Sequence, residues 1–357
     1  MRLIRAYYLF IRGTTMQAVI VKFKRAGKST ARLIISFFYS LYYHLPYNSQ
    51  ELLRKKYRKI VVKRADENVS GWRWIKKEIG KKLKTKPVLR RMPVGEKDCV
   101  VHEFSKTPQL RKIPGSIAIH LHLYYIELAN EFFHKLANVP FPFDLYITVR
   151  NEADKKSCEL IYNKLPNMSQ LKVIIVENRG RDIAPMVCNL NKELLKYDYF
   201  AHLHSKKSVV KRGGAAWRRY MMNGMLKSAA HVRKIFMLFS EDNKVGIIYP
   251  QMYFPAIPWQ NWVGNKEIGT MLCKRMGIVN IPQDKFDFPA GSMFWARSKA
   301  MEPLLGLNLG LEEFPIESGQ VDGTIAHAIE RIFVLVARKA GFEAAILPDI
   351  KHRSQPY

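Results

Sequence analysis

The chain has 357 residues, of which 48% are hydrophobic and 12% aromatic, so it can bury a core and wholesale disorder is excluded. The formal net charge is +29. Residues 1–115 hold 28 Lys and Arg against 7 Asp and Glu, a balance of +21, which leaves +8 for residues 116–357. A basic N-terminal segment favours a polyanionic partner, and the ordinary candidates are nucleic acid and the anionic lipid of a cytoplasmic leaflet.

Residues 1–90 are predicted to form basic helical segments in which aromatic and aliphatic residues alternate with Lys and Arg. This pattern is typical of an amphipathic helix at a membrane surface, although a solvated basic tail is the simpler alternative. The longest apolar run, Leu33 to Tyr43, is about half the roughly 20 residues that span a bilayer. We therefore expect contact with a membrane surface and no crossing.

The chain start, MRLIRAYYLFIRG, interrupts its apolar residues with arginines and lacks a signal-peptide pattern. The four cysteines are far apart and show no CxxC spacing, which indicates free thiols in a reducing compartment. Together with the basic segment, these features predict a cytoplasmic protein, peripheral on the inner face of the cell membrane.

Residues 91–115 are rich in proline and charge and are interpreted as a linker, after which the pattern changes. The segments SIAIHLHLYY, FDLYITV, LKVIIVEN and DYFAHLH have the pattern of buried strands, and amphipathic helical segments separate them. This alternation predicts parallel βαβ units, hence an α/β domain over residues 116–357 with a mostly parallel sheet. Ligands of such sheets bind beyond the carboxyl ends of the strands.

The third predicted strand ends in the polar turn Glu177 to Asp182. Guanidinium groups at Arg179 and Arg181 suit phosphate oxygens, and Asp182 can accept a hydrogen bond from a sugar or a base. The structural alternative is that Asp182 caps the following helix while the arginines are solvated.

The fourth predicted strand carries His202 and His204 on one face, and Lys206 and Lys207 follow its end. The cluster suits an anionic ligand, although a core histidine pair with surface lysines is the alternative. The first strand carries a matching pair, His120 and His122. If the two strands are neighbours, four imidazoles converge and a metal site becomes conceivable, but no carboxylate or thiolate accompanies them in sequence.

Two further segments carry candidate residues. The stretch from Phe288 to Arg297 predicts a tight turn opening into an aromatic strand, where small residues let the backbone approach a ligand, or else an ordinary buried hairpin. Glu317 and Asp322 precede the predicted helix IAHAIERIFVLVARKAG. A carboxylate there either caps the helix or serves as a general base against an acceptor hydroxyl.

AIHLHLYY, FDLYITV, ENRGRDIAPM, HLHSKKS, FPAGSMFWAR and ExxQxDGTIAHAIER, taken in order, resemble the motifs of the rhamnan synthesis protein F family. The resemblance runs from about Ile117 to Gly341 and does not include residues 1–115. It implies a rhamnosyltransferase, or a near relative, of cell-surface polysaccharide biosynthesis with a glycosyltransferase-A type fold. Where that fold normally places a metal-binding Asp-x-Asp, this chain has His202-Leu203-His204, so metal dependence is in doubt and no cofactor is assigned.

The resemblance also implies roles for individual residues. Asp322 is expected to be the base of an inverting displacement, with Glu317 as the substitute candidate. The donor diphosphate is assigned to Arg179, Arg181, Asp182, His202, His204, Lys206 and Lys207. Our own hypothesis is that fixed cations replace the metal there, supplied by His204, Lys206 and Lys207 with Arg179 or Arg181. The nucleotide is assigned to His122 and Tyr124, and the acceptor to Gly291, Ser292 and Trp295.

The expected partners are a nucleotide-sugar donor of the deoxythymidine-diphosphate-rhamnose type, a polysaccharide or lipid-linked oligosaccharide acceptor, and an anionic membrane surface. Two rival readings remain at this point. A nucleic-acid-binding protein would explain the charge, but the excess lies outside the folded domain, and the sequence shows none of the helix-turn-helix, zinc-finger or RNA-recognition patterns. A non-catalytic polysaccharide-assembly protein would keep the fold without the chemistry.

Overall fold

The structure is a computed structural model. It describes residues 100–101, 110, 113, 115–205, 214–253, 256, 259–283, 285–320 and 322–347. The predicted basic segment 1–90 and the two lysines Lys206 and Lys207 lie outside these residues. Across the described ranges, no helix is both long and apolar enough to cross a membrane.

The strands of the described residues form one eight-stranded sheet in the order β1-β8-β6-β7-β5-β2-β3-β4. All its neighbouring pairs are parallel except those made by β7, which runs antiparallel to β5 and β6. The predicted α/β class with a mostly parallel sheet is confirmed. The strands are β1 (Val100–Val101), β2 (Ile117–His122), β3 (Phe143–Val149), β4 (Met168–Ile175), β5 (Tyr199–His204), β6 (Val245–Pro250), β7 (Phe294–Arg297) and β8 (Glu343–Leu347).

Helices separate the strands along the chain, as the alternating pattern predicts. A π-helical turn covers Pro185–Asn189, and short 3-10 turns cover Ile126–Leu128 and Leu311–Glu313. The α-helices are α1 (Ala129–Leu136), α2 (Glu152–Tyr162), α3 (Asn191–Leu194), α4 (Gly214–Leu226), α5 (Ala229–Glu241), α6 (Lys266–Arg275), α7 (Ser298–Leu305) and α8 (Ile325–Lys339).

The sheet separates two apolar cores, one on each face. Strand β2 is buried along its whole length, and its alternating side chains point to opposite faces. Ile119 and Leu121 pack into one core, whereas Ala118 belongs to the other. His120 and His122 therefore share the face of Ala118, which is also the face against which most of helix α8 packs.

The order of the strands reverses beside β2. From β2 the chain proceeds to β3 and β4 on one side, and then returns to place β5 on the other side of β2. This reversal is a topological switch point, where open α/β sheets form a crevice at the carboxyl ends of the strands. His122 and His204, the last residues of β2 and β5, therefore lie at the place where a ligand is expected.

Strand β1 lies within residues 91–115, the segment that the sequence suggests is a linker, and it pairs with β8. At least these two residues thus belong to the sheet. The domain boundaries at residues 90 and 115 remain a prediction.

Candidate functional site

Two pairs of histidines face each other across the neighbouring strands β2 and β5. In the parallel register His120 lies opposite His202, and His122 lies opposite His204. Nδ1 of His120 is 3.1 Å from Nδ1 of His202, and all four side chains are buried. The two strands are neighbours, so the condition under which the four imidazoles converge is met.

Thr148 of β3 joins the two histidines of β2. Its Oγ1 lies 3.0 Å from Nε2 of His120 and 2.9 Å from Nδ1 of His122. Burial, followed by the nearby imidazoles of His202 and His122, holds the pKa of His120 well below 6.5. Burial and the imidazoles of His204 and His202 lower the pKa of His122 to about 4, although a nearby carboxylate opposes the shift. Both imidazoles of β2 are therefore neutral at pH 7.

Asp182 supplies that carboxylate. Its Oδ2 lies 3.4 Å from Nε2 of His202 and 3.9 Å from Nε2 of His204, and its side chain is buried. Asp182 thus contacts the ends of the histidine pair on β5, whereas the cap alternative would turn it toward the backbone of the following turn. Asp182 lies in the turn that follows β4, and the sequence gives no signal for its contact with His202, which is 20 residues away.

Two residues of the turn that contains Asp182 have left-handed backbone conformations. Gly180 has a φ of +65° and Arg181 a φ of +58°. A Cβ added at Gly180 would lie 2.5 Å from both the Ala184 side chain and the Phe314 ring. Glycine is therefore required at position 180 by both conformation and space.

The two arginines of this turn bind the loop that precedes α8. Arg179 donates to the carbonyl oxygen of Phe314, and it also forms an isolated antiparallel bridge with Ile316. Arg181 donates to the carbonyl oxygen of Gln320, and its Nε lies 3.6 Å from a carboxylate oxygen of Glu317. In this structure the guanidinium groups hold the two loops together.

The turn before β7 contacts both β5 and α8. Gly291 has a φ of +91°, and its carbonyl oxygen accepts a hydrogen bond from Nε2 of His204. Its N–H donates to Oε1 of Glu330 at 2.6 Å. Ser292, with a φ of +57°, is also buried. The turn therefore connects the histidine cluster to helix α8.

Trp295 occupies a different position from the other two residues of the predicted acceptor set. Its side chain is fully buried, its ring packs against Phe236, and its Nε1 donates to the carbonyl oxygen of Met225 at 3.4 Å. The ring offers no open face to a sugar in this structure. The case for an acceptor site near this turn therefore rests on Gly291 and Ser292.

Asp322 lies at the start of α8 and accepts hydrogen bonds from several groups. Asn265 donates to its Oδ1 at 2.7 Å, and the N–H of Gly264 donates to its Oδ2 at 3.3 Å. Nη2 of Arg331 lies 3.5 Å from its Oδ1. Partial burial acts to raise the pKa of Asp322, but the hydrogen bond from Asn265 and the charge of Arg331 outweigh it, so the pKa is lowered. Its side chain remains 28% exposed.

Asp182 and Asp322 belong to one continuous path of contacts. Arg331 also lies 3.5 Å from the Glu330 carboxylate, which completes the connection between Asp322 and the Gly291 turn. The strand ends and the loop before α8 thus form one connected region. In order, the path is Asp182, His204, Gly291, Glu330, Arg331 and Asp322.

The sequence model of the family described as rhamnan synthesis protein F matches residues 91–342, more than two thirds of the chain. The chain belongs to the rhamnan synthesis protein F family. Every residue of the path lies inside the matched range. The membership connects the chain to rhamnan and polysaccharide synthesis, as the resemblance of its motifs implies.

Two curated relatives, each named "Uncharacterized protein WxcX", come from two strains of Xanthomonas campestris pv. campestris. Each is 33% identical to this chain over 228 residues, which is 63% of this chain and 32% of the relative. The chain thus spans about a third of the length of the curated relatives it matches.

The residues predicted to bind the nucleotide lie at the end of β2. The ring of Tyr124 is 6.4 Å from that of His122, and the guanidinium of Arg150 lies 4.9 Å from the centre of the Tyr124 ring. Nε of Arg150 donates to Asp154 at 3.1 Å, and the arginine is otherwise exposed. The ring of Tyr124 therefore lies near His122 at the switch point of this family member, and the Arg150 cation lies over that ring.

Sequence reasoning missed several residues of the site. Thr148 shares a face of the sheet with the histidines, a relation that follows from the period of two once β3 is known to pair with β2. Glu330 and Arg331 are part of the family motif as quoted, but they lie inside helix α8, whereas Asp322 lies in the loop before it. Asn265 carries no local signal, because it lies 57 residues before its partner.

Metal chemistry receives no support from the described side chains. Within the described ranges, no group of three or more His, Cys, Asp or Glu residues has an arrangement that could hold a metal ion. His120 and His202 bond to each other, Thr148 bonds to His120 and His122, His202 bonds to Asp182, and His204 bonds to the Gly291 carbonyl. We derive no step through a metal. Lys206 and Lys207, the cations proposed to replace it, lie outside the described residues.

Proposed function

We propose that this member of the rhamnan synthesis protein F family is a glycosyltransferase. It transfers a sugar, rhamnose, from a deoxythymidine-diphosphate-linked donor to a polysaccharide or lipid-linked oligosaccharide of the cell surface, with inversion at the anomeric carbon. The observation that supports it best is the path of contacts from Asp182 to Asp322, which joins the two strand ends predicted to bind the donor to the predicted base.

The donor is proposed to lie at the switch point of the sheet. Its nucleotide contacts His122 and Tyr124, where an aromatic ring and the Arg150 cation are adjacent. Its diphosphate lies toward the end of β5, near His204 and the lysines that follow. The carboxyl ends of parallel strands lie at one edge of a sheet, which supports the proposal that one extended ligand binds at the ends of β2 and β5.

The reaction is a displacement at the anomeric carbon of the donor sugar. An acceptor hydroxyl oxygen forms a bond to that carbon, the bond from carbon to the diphosphate oxygen breaks, and the diphosphate leaves with the electron pair. The hydroxyl proton moves to Asp322. Negative charge grows on the diphosphate during this step, so preorganised cations there lower the barrier.

Asp322 suits the role of base in one respect and is limited in another. Hydrogen bonds from Asn265 and Gly264 fix the carboxylate, and its lowered pKa keeps it ionised at neutral pH. A carboxylate with a low pKa is a weak base, so it takes the proton late, after the forming bond has made the hydroxyl acidic. Glu317 remains the substitute candidate and is held by Arg181.

Fixed cations are proposed to replace a metal at the diphosphate. Lys206 and Lys207 are the candidates from the sequence, and they directly follow β5, which ends at His204. Arg179 and Arg181 bind loop carbonyls in this structure. For them to contact phosphate, the loop from Leu311 to Gln320 would have to release them when the donor binds.

A non-catalytic role in polysaccharide assembly is the second candidate. The observation that favours it is that Asp322 already has Asn265, Gly264 and Arg331 as partners, which compete with an acceptor hydroxyl for its oxygens. Measuring the release of nucleoside diphosphate distinguishes the glycosyltransferase from the assembly protein, because a non-catalytic protein can bind the donor but does not cleave it.

We propose that the protein is located at a membrane surface, and this proposal depends on the sequence of residues 1–90 alone. The basic segment would hold the enzyme against anionic lipid on the inner face of the cell membrane, near a lipid-linked acceptor. Sedimentation with anionic vesicles, compared with salt-sensitive binding to duplex DNA, tests this against nucleic-acid binding. Preference for DNA would contradict it.

The decisive assay for transfer uses the full chain. Deoxythymidine-diphosphate-rhamnose and other nucleotide sugars are offered with and without membrane extracts containing lipid-linked saccharides, and released nucleoside diphosphate and labelled lipid product are measured. We expect release from one donor and its loss in Asp322→Asn. Binding of a donor without release or transfer would favour the assembly role.

A further inference from the structure

The buried groups between β2, β3, β5 and the Asp182 turn form a single hydrogen-bonded chain. Each member contacts the next at 2.9 to 3.4 Å. Every member is less than a tenth exposed. From the turn outward, the chain runs Asp182, His202, His120, Thr148 and His122.

A carboxylate can only accept hydrogen bonds, and this fact sets the direction of the first two contacts. With Asp182 ionised, Nε2 of His202 must carry the proton and donate to it. In a neutral imidazole the other nitrogen is then an acceptor, so Nδ1 of His202 accepts from Nδ1–H of His120. The Nε2 atom of His120 is left as an acceptor.

Thr148 determines which nitrogen of His122 carries the proton. It has a single hydroxyl proton, which it must donate to Nε2 of His120. Its oxygen therefore accepts from the remaining partner, Nδ1–H of His122. With Asp182 ionised and one proton on each imidazole, this arrangement alone satisfies all four contacts, and Nε2 of His122 is left with a lone pair.

The end of this chain lies at the proposed donor site. His122 is the last residue of β2, at the switch point, where the Tyr124 ring lies 6.4 Å from its own and the guanidinium of Arg150 lies over the Tyr124 ring. His122 is 6% exposed, and among the described residues its Nε2 has no hydrogen-bond partner. A fixed acceptor at this place suits a ligand that presents an N–H group.

We propose that Nε2 of His122 accepts a hydrogen bond from the ring imino N–H of a uracil or thymine nucleotide, and that the chain from Asp182 through Thr148 holds it in the accepting form. The inference rests on the proposed function, since it names the base class of the donor for the same site. Cytosine has a lone pair at the equivalent ring nitrogen. It would face the lone pair of His122, so cytidine nucleotides are rejected.

Thr148 is a positioning residue in this proposal, because it acts through His122 and touches no substrate. Thr148→Val keeps the shape of the side chain and removes the hydroxyl, so His122 is free to adopt either tautomer. Thr148→Ser keeps the hydroxyl and is the matched control. A merely structural role for Thr148 would not alter the choice between pyrimidines.

Nitrogen-15 NMR of the full chain reads the tautomers directly, with each histidine assigned by single substitution. We expect Nδ1–H for His120 and His122 and Nε2–H for His202. A proton on Nε2 of His122 would overturn the proposal whether or not a nucleotide binds. Failure of every nucleotide to bind would instead count against the proposed function.

Calorimetric titration with dTDP, UDP and CDP tests the selection. We expect dTDP and UDP to bind about tenfold or more tightly than CDP, the effect of one buried hydrogen bond against one unmatched acceptor. The ratio of CDP to UDP dissociation constants should fall toward one in Thr148→Val and persist in Thr148→Ser. An unchanged ratio in correctly folded Thr148→Val would overturn the role of the chain.

Discussion

Nη2 of Arg331 lies 3.5 Å from Oδ1 of Asp322, and the same arginine donates through Nε to the carbonyl oxygen of Asn261 at 3.0 Å. The guanidinium thus fixes the predicted base from one side while Asn265 fixes it from the other. Arg331 is also buried, so it belongs to the structure of the site and is poorly placed to leave it. A carboxylate held in this way is ionised and oriented before any substrate arrives.

Asp322→Asn should remove turnover and leave the fold intact. Asparagine keeps the size of the side chain and can still accept from Asn265, but it cannot take a proton. We expect transfer to fall by roughly 10²–10⁴-fold, the usual contribution of a general base. Steady-state transfer and thermal unfolding are measured on the same preparation.

Glu317→Gln is the matched control for that substitution. It neutralises the other carboxylate of the same loop and should retain most of the activity. Full activity in Asp322→Asn, together with loss of activity in Glu317→Gln, would transfer the role of base to Glu317.

Gly291→Ala should destabilise the protein and impair the site. The residue has a φ of +91°, and an added Cβ would meet the Met221 sulfur at 2.3 Å. Gly319→Ala is the control, because Gly319 has a φ of +81° but nothing within 4 Å of an added Cβ. Backbone strain alone costs about 1–2 kcal/mol in each, and the clash should add about 1–3 kcal/mol for Gly291 only. If urea unfolding showed the same loss of unfolding free energy in Gly291→Ala and Gly319→Ala, the close packing at the Gly291 turn would be contradicted.

Removing divalent metal ions with a chelator should leave the transfer activity unchanged, whereas replacing Lys206 and Lys207 should lower it. If fixed cations stabilise the leaving diphosphate, Lys206→Ala combined with Lys207→Ala should lower the turnover number by about 10²-fold or more. EDTA should have no effect on the wild-type chain. Dependence on manganese or magnesium, with activity that survives loss of both lysines, would refute the replacement of a metal by cations.

Asp287→Asn should stabilise the protein at alkaline pH. Asp287 is buried, and burial raises its pKa to about 7, although a hydrogen bond from the N–H of Phe288 opposes the shift. Because the folded pKa lies above the unfolded value near 3.8, the contribution of Asp287 to stability is greatest below pH 3.8 and is lost as the pH rises toward 7.

The Asp287→Asn variant should therefore show a gain in unfolding free energy at pH 8, of the order of a few kcal/mol, and little change at pH 4. Urea unfolding at the two pH values gives the comparison. A gain at pH 4 that equals the gain at pH 8 would mean that the carboxyl does not titrate in this range.

Much of the fold followed from local patterns. IAIHLH and YFAHLH have the apolar, β-branched or aromatic character of buried strands, and each forms a strand buried at all six positions. The alternation with amphipathic helices such as α2 determined the parallel pairing. The strand order was not predictable, because the placement of β5 beside β2 depends on packing between segments about 80 residues apart.

The candidate site was predictable as a set of strand ends but not as a set of contacts. His202 and Asp182 were both singled out, yet the contact between them depends on the turn at Gly180 and Arg181. Arginines in a polar turn suit phosphate on sequence grounds alone. In the structure their nearest oxygens are backbone carbonyls of a loop some 135 residues further along the chain, a distance at which sequence spacing carries no information.

The claim that the strand ends and Asp322 hold a single sugar diphosphate is tested most directly by the melting temperature of the full chain in a panel of nucleotide sugars. A ligand at 100 times its dissociation constant stabilises a protein by about 2.7 kcal/mol, or roughly 5 °C here. We expect deoxythymidine-diphosphate-rhamnose to produce that shift, and Lys206→Ala combined with Lys207→Ala to abolish it. A melting temperature that no nucleotide sugar changes would contradict the account.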